Sequence, residues 1–148
     1  MIFDKRVMRL TTSPIAGFAL AHFRPRPGQK AETLHNLIDG VDLTTLPPRT
    51  LAWLGHSFGM VGENEKACEV FDIALLEHPR DLMLNFDYAL LLHTQKDYER
   101  AIRYYHRCLA IRDDVPGVWR SMPKTFTELG EDERAQQALD RAKKLENL

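Results

Sequence analysis

Three short turns recur along this chain at one fixed spacing. They read Gly-Glu-Asn-Glu-Lys-Ala at 62–67, Lys-Asp-Tyr-Glu-Arg-Ala at 96–101 and Gly-Glu-Asp-Glu-Arg-Ala at 130–135. Their closing alanines, Ala67, Ala101 and Ala135, lie 34 residues apart with no insertion between them. A strict period of this length is the signature of an array of helix–turn–helix units, in which each unit buries its apolar face on its neighbours. It leaves little room for any fold that is not all-α.

Side-chain size obeys the same period. Residues 48–81, 82–115 and 116–148 can be laid over one another, the last one residue short. The fourth position then holds Leu51, Asn85 and Trp119, and the seventh Leu54, Tyr88 and Met122. The eleventh holds Phe58, Leu92 and Phe126, and the twenty-fourth Phe71, Tyr105 and Leu139. These are mostly large residues, of the kind that fills space between helices. The eighth holds Gly55, Ala89 and Pro123, the twentieth the three alanines, and the twenty-seventh Ala74, Cys108 and Ala142. Small residues there let two backbones approach closely. Helices are expected at about 48–61, 65–78, 82–95, 98–111 and 132–147. Asn64, Asp81 and Asp97 are expected as N-caps. Pro123 interrupts the helix that opens after Asp114 and Pro116, so this helix either kinks or starts late with Ser121 as its cap.

The pattern resembles the tetratricopeptide repeat superfamily, W-x2-L-G-x2-Y followed by A-x3-F, A and a closing P. Pro79 supplies that proline in the first repeat, whereas Asp113 and Asn147 stand there in the others. The resemblance implies a right-handed superhelix of three helix–turn–helix repeats, with residues 1–30 as an N-terminal extension and 31–47 as a decayed repeat helix and a loop. It also implies a concave groove lined by the first helix of each repeat, which takes a peptide segment of a partner protein. Carried over residue by residue, the groove positions are Arg49, Ala52, Trp53, His56 and Gly59; Met83, Phe86, Asp87, Leu90 and His93; Gly117, Arg120, Ser121, Lys124 and Thr127. The peptide-binding candidates among them are Trp53, His56, Met83, Phe86, Asp87, Leu90, Arg120 and Lys124. Trp53, Met83, Phe86 and Leu90 make an apolar set, Arg120 and Lys124 a basic one, and Asp87 is a lone acid. Such a groove suits a segment with apolar anchors and an acidic or C-terminal carboxylate group. Relatives that clamp the carboxylate tail of heat-shock chaperones use Lys, Asn, Asn, Lys and Arg. Here Ala52, His56, Asp87, Gly117 and Ser121 stand at those places, which argues against that partner. Arrays of this family usually end on a capping helix. The last repeat here has none within this sequence, so a second copy of the chain is a further expected partner.

Composition narrows the function classes. Of 148 residues, 44% are hydrophobic and 28% charged, the balance of a soluble globular chain and not of a disordered one, and the length suggests one domain. No apolar run is long enough to cross a membrane. A net charge of −1 argues against a nucleic-acid partner. There is no glycine-rich phosphate loop and no His-Glu-x-x-His, so neither an enzyme nor a cofactor, metal or small-molecule substrate is expected. Cys68 and Cys108 are too few for a disulfide framework and read as small core residues in a reducing, cytoplasmic setting. Asp113 and Asp114 read as helix caps. Residues 1–30 carry six basic side chains against Asp4 alone, and 14–23 are largely apolar. Two readings of residues 1–23 stand. They are a cap over the end of the array, or a targeting segment that sends the chain to an organelle or membrane.

Overall fold

In the computed structural model, residues 31–148 are described. The expectations for residues 1–30, cap or address, lie outside them. The described residues contain seven α-helices, one 3-10 helix and no strand. The helices are α1 (Ala31–Ile38), α2 (Pro48–Met60), α3 (Asn64–Glu77), α4 (Leu82–Thr94), α5 (Tyr98–Ile111), α6 (Pro116–Glu128) and α7 (Asp132–Glu146). None is long and apolar enough to cross a membrane. The length suggests one domain, but the chain divides into two compact units, Met1–His78 and Pro79–Leu148. The reason is that helix pairs in an array contact mainly their neighbours, so packing is local.

The three recurring turns share one backbone device. Gly62, Lys96 and Gly130 each adopt a left-handed conformation, with φ of 83°, 64° and 74°. The next amide donates back across the helix end in every case, Glu63 to the Phe58 carbonyl, Asp97 to that of Leu92 and Glu131 to that of Phe126. The turn residues donate to Gly59, His93 and Thr127. This is the Schellman arrangement, which satisfies the orphan carbonyls at a helix end and reverses the chain. It closes α2, α4 and α6, the first helix of each pair.

The first unit packs α2 against α3, with α1 on α2 and the 3-10 helix Leu43–Thr45 on α3. Leu51, Leu54, Phe58, Val70, Phe71 and Ala74 are fully buried. The segment from Asp42 to Pro48 is expected as a loop, yet it contains that 3-10 turn. Asp42 holds it by accepting from the Thr44 amide at 3.0 Å and the Thr44 hydroxyl at 2.7 Å. Pro48 opens α2, where a missing N–H costs little. Asn64 is not the cap of α3. It is the first helical residue, and Glu63, at the cap position, makes no side-chain cap bond. The Schellman turn already fixes the Glu63 amide, so the helix begins one residue early.

The second unit packs α4 on α5, α5 on α6 and α6 on α7. Asp81 caps α4 by accepting from the Leu84 amide at 2.9 Å, and Asp97 caps α5 through the Arg100 amide at 3.3 Å. Tyr88 and Tyr105 are buried between the helices. The Tyr88 hydroxyl accepts from Arg100 at 2.6 Å, and its ring meets that of Tyr104 at 4.5 Å between centroids. Along α5, Tyr105 is buried, Tyr104 half-buried and His106 exposed.

Two expectations for this unit need correction. Helix α6 runs through Pro123 and does not start late. Ser121 caps nothing, since its hydroxyl donates to the Gly117 carbonyl at 2.9 Å inside the helix. Proline in a helix interior costs about 3 kcal/mol. Burial of Pro123 alongside Met122, Thr125 and Phe126 offsets that cost. Asp113 and Asp114 do not cap α6 either. Val115 occupies the cap position, Asp114 pairs with Arg112 at 3.0 Å, and the Asp113 carbonyl accepts from the Trp119 indole at 2.7 Å. In α7 the buried stripe is narrower than its spacing suggests. Ala135, Ala138 and Ala142 are buried, and Leu139 and Leu145 are half-buried.

Candidate functional site

Helix α4 is apolar nearly all round, and its neighbours cover most of it. Leu84, Tyr88, Ala89, Leu91 and Leu92 are buried. Met83, Phe86, Asp87 and Leu90 follow one another at steps of three, one and three, which puts them on a single face. On that face Met83 is 57% and Leu90 39% exposed, and Phe86 and Asp87 are half-buried. Phe86 is tied inward, with its ring 6.0 Å from that of Tyr105. Asp87 lies close enough to the buried Cys108 thiol to help push it up, behind the larger effect of burial.

The candidates on α6 behave differently from one another. Arg120 and Lys124 are both exposed and one turn apart. Arg120 pairs with Glu146 at the end of α7, so its charge is matched within the unit. Lys124 has no ion pair among the described residues. Its charge is felt instead by His93 on α4. Burial, then the Lys124 ammonium, holds the His93 imidazolium below its ordinary range, against a smaller opposing pull from Glu128.

In the first unit, Trp53 is half-buried on α2 and its carbonyl accepts from the Ser57 hydroxyl at 2.9 Å. His56 is exposed on the same helix. No group of three His, Cys, Asp or Glu among the described residues could hold a metal ion.

Residues 89–118 match the profile of the tetratricopeptide repeat family. Solved structures agree on the fold. A crystal structure of MamA superposes with a TM-score of 0.70 at 15% identity, over 97% of this chain and 80% of that one. The MamA MSR-1 structure gives 0.66 at 18% identity, over 78% of this chain and 65% of that one, so this chain spans just under two thirds of its length. A chain of the CopN-Scc3 complex gives 0.60 at 18% identity, over 88% and 75%. No curated protein matches by sequence.

Residues 89–118 thus carry a tetratricopeptide repeat, and the described residues have the helical-repeat fold of these neighbours. In the terms of that repeat, the Schellman residues fall at position fifteen, and the exposed row on α4 belongs to the first helix of a repeat. One polar cluster on the same helices is absent from the list of candidates. The His93 Nδ1 lies 2.9 Å from the Thr125 hydroxyl, which joins α4 to α6. Thr125 is fully buried, and its hydroxyl lies near the Tyr105 phenol of α5, whose pKa burial pushes up to about 12. Tyr98 of α5 stands with its ring 5.3 Å from that of His93. Position counting alone places His93 on the groove face. Nothing in the sequence pairs it with Thr125, which is 32 residues away.

Proposed function

We propose that this chain is a protein-interaction module, an adaptor, assembly factor or chaperone, that takes a segment of a partner protein on the exposed faces of its first helices. The observation that carries the reading is the row on α4. A helix otherwise packed into the core leaves Met83 and Leu90 open to solvent on either side of Phe86 and Asp87. Exposed apolar anchors beside an aromatic ring are the groups that protein interfaces favour. The fold is in keeping with this, since one of its structural neighbours is part of a complex of two proteins. In this reading the repeats run 48–81, 82–115 and 116–148. Residues 1–30 are an extension and 31–47 lead into the array. Arg120 and Lys124 on α6 belong to the same unit as this row, and Trp53 and His56 on α2 are a separate candidate surface of the first unit.

The test is the double variant Met83→Ser with Leu90→Ser. Both side chains are exposed, so helicity by circular dichroism should be retained while recovery of the partner collapses. Unchanged recovery would sink the groove reading. A second copy of the chain as the partner would appear as a dimer in light scattering, and the same double variant would dissolve it.

A further inference from the structure

The second helices of the repeats, α3, α5 and α7, expose side chains at matching repeat positions, and those side chains differ in charge. On α3, Glu65, Glu69, Asp72 and Leu76 are all exposed and follow at steps of four, three and four, which puts them in one stripe. Leu76 ends it with 80% of its surface open. The helix carries Glu65, Glu69, Asp72 and Glu77 against Lys66 alone, which pairs with Glu69 at 2.9 Å. The same positions on α5, 34 residues on, hold Glu99, Arg103, His106 and Ala110, all exposed, with the exposed Arg107 beside them. The Arg107 guanidinium stacks on the Tyr104 ring, 4.7 Å from its centroid. Neither Arg107 nor Arg103 makes an ion pair among the described residues. Arg100, the other arginine of α5, is taken up by Asp97 and Tyr88. On α7 the positions hold Gln137, Asp140 and Lys144, so that helix offers a second copy no face of one sign.

We propose that the exposed face of α3 in one copy of this chain docks on the exposed face of α5 in a second copy. Charge complementarity argues for this occupant, since equal repeat positions carry acids on one helix and bases on the other. With the two helices side by side in one direction, Glu69 meets Arg103, Asp72 meets His106 and Leu76 meets Ala110, a large apolar side chain against a small one. Exposed ion pairs contribute little singly, so the contact depends on the whole row and on covering Leu76. Complementary charge steers the encounter and fixes the register, and salt screens it. The two faces are different surfaces, so one contact leaves an α3 face and an α5 face unmatched, and copies add until the contacts close on themselves. No residue of either face belongs to the row on α4. The inference therefore goes beyond the groove reading and does not rest on it.

The experiment is light scattering of the full chain over a concentration series, at about 20 mM and about 500 mM salt. Two charge-reversed variants accompany the wild type. Glu65→Lys with Glu69→Lys makes the α3 face basic, and Arg103→Glu with Arg107→Glu makes the α5 face acidic. All four side chains are exposed, so helicity by circular dichroism should be retained. The wild type should exceed the monomer mass at low salt, with a dissociation constant about tenfold or more higher at high salt. Each variant alone should be a monomer where the wild type associates, because its two faces then share one sign. Mixed in equal amounts, the variants should associate again, since each supplies the face that the other lacks. Recovery in the mixture separates a lost contact from a damaged fold. A mixture that stays monomeric, or variants that associate alone as the wild type does, would overturn the contact. A wild type that is monomeric at low salt would overturn it too, and would leave the two faces to other proteins. Association that Met83→Ser with Leu90→Ser abolishes, while both charge variants keep it, would put the second copy on the α4 row instead.

Discussion

The ring of Phe71 occupies the space in which a side chain on Gly55 would begin. A Cβ built on Gly55 would lie 2.6 Å from the ring Cε2 and 2.7 Å from Cδ2, and Phe71 is fully buried with no room to retreat. This is why the eighth position of the repeat is small. Gly55→Ala gains about 1 kcal/mol of helix propensity but must displace the ring, and overpacking typically costs 1–3 kcal/mol. The expected net result is destabilisation of up to about 2 kcal/mol in urea unfolding. Gly117 is the control, because nothing lies within 4 Å of its Cβ position. Gly117→Ala should be neutral or stabilise by a few tenths of a kcal/mol.

Lys96 sits where Gly62 and Gly130 sit in the other two turns, at a φ that L side chains adopt at a cost. Lys96→Gly should raise stability by about 1 kcal/mol. Gly62→Ala and Gly130→Ala should each lower it by about the same amount, even though nothing lies within 4 Å of either Cβ position. A thermal or denaturant melt of the three variants measures this. A destabilised Lys96→Gly chain would mean that the lysine side chain contributes more than its strain removes.

The folded state disfavours the His93 imidazolium, through burial first and Lys124 second. Its pKa in the fold is therefore below the 6.5 of the free side chain. The unfolded chain takes the proton more readily, so the His93 contribution is complete above pH 6.5 and is lost as pH falls below it. Unfolding free energy measured from pH 7.5 to pH 5 should decline more steeply in the wild type than in His93→Gln. Parallel profiles would place the acid sensitivity elsewhere.

Cys108 is buried, its thiol lies 3.6 Å from the Leu82 carbonyl, and burial raises its pKa to about 12. Thiolate, the reactive form, is then scarce at neutral pH. Native protein treated with iodoacetamide at pH 8 should leave Cys108 unmodified by peptide mass mapping, and denatured protein should modify it fully. Modification of Cys108 in the native chain would show that α4 and α5 separate on the timescale of labelling.

The helix array was legible because its signal is redundant. The 34-residue spacing, the alternation of large and small positions and the caps at Asp81 and Asp97 each point to the same helices. Where one local signal stood alone, reading it was less secure. Asn64 has the chemistry of a cap, but the preceding Schellman turn sets the helix start. Ser121 and Pro123 together resemble a helix beginning, but burial of the proline carries α6 through. The exposed row on α4 could be counted from the repeat. That Arg120 is matched by Glu146 while Lys124 acts on His93 could not, because both facts depend on where two helices place long side chains.

The sequence by itself determined the all-α class, the period and most helix bounds, because helix formation and turn chemistry depend on residues within a few positions of one another. It also marked which positions must be small. Tertiary structure alone decided which neighbour makes each one small, as Phe71 does for Gly55. It also decided that the left-handed turn is kept at Lys96 without a glycine. The link from His93 to Thr125 was settled there too, since a hydrogen bond across 32 residues exists only once α4, α5 and α6 are packed.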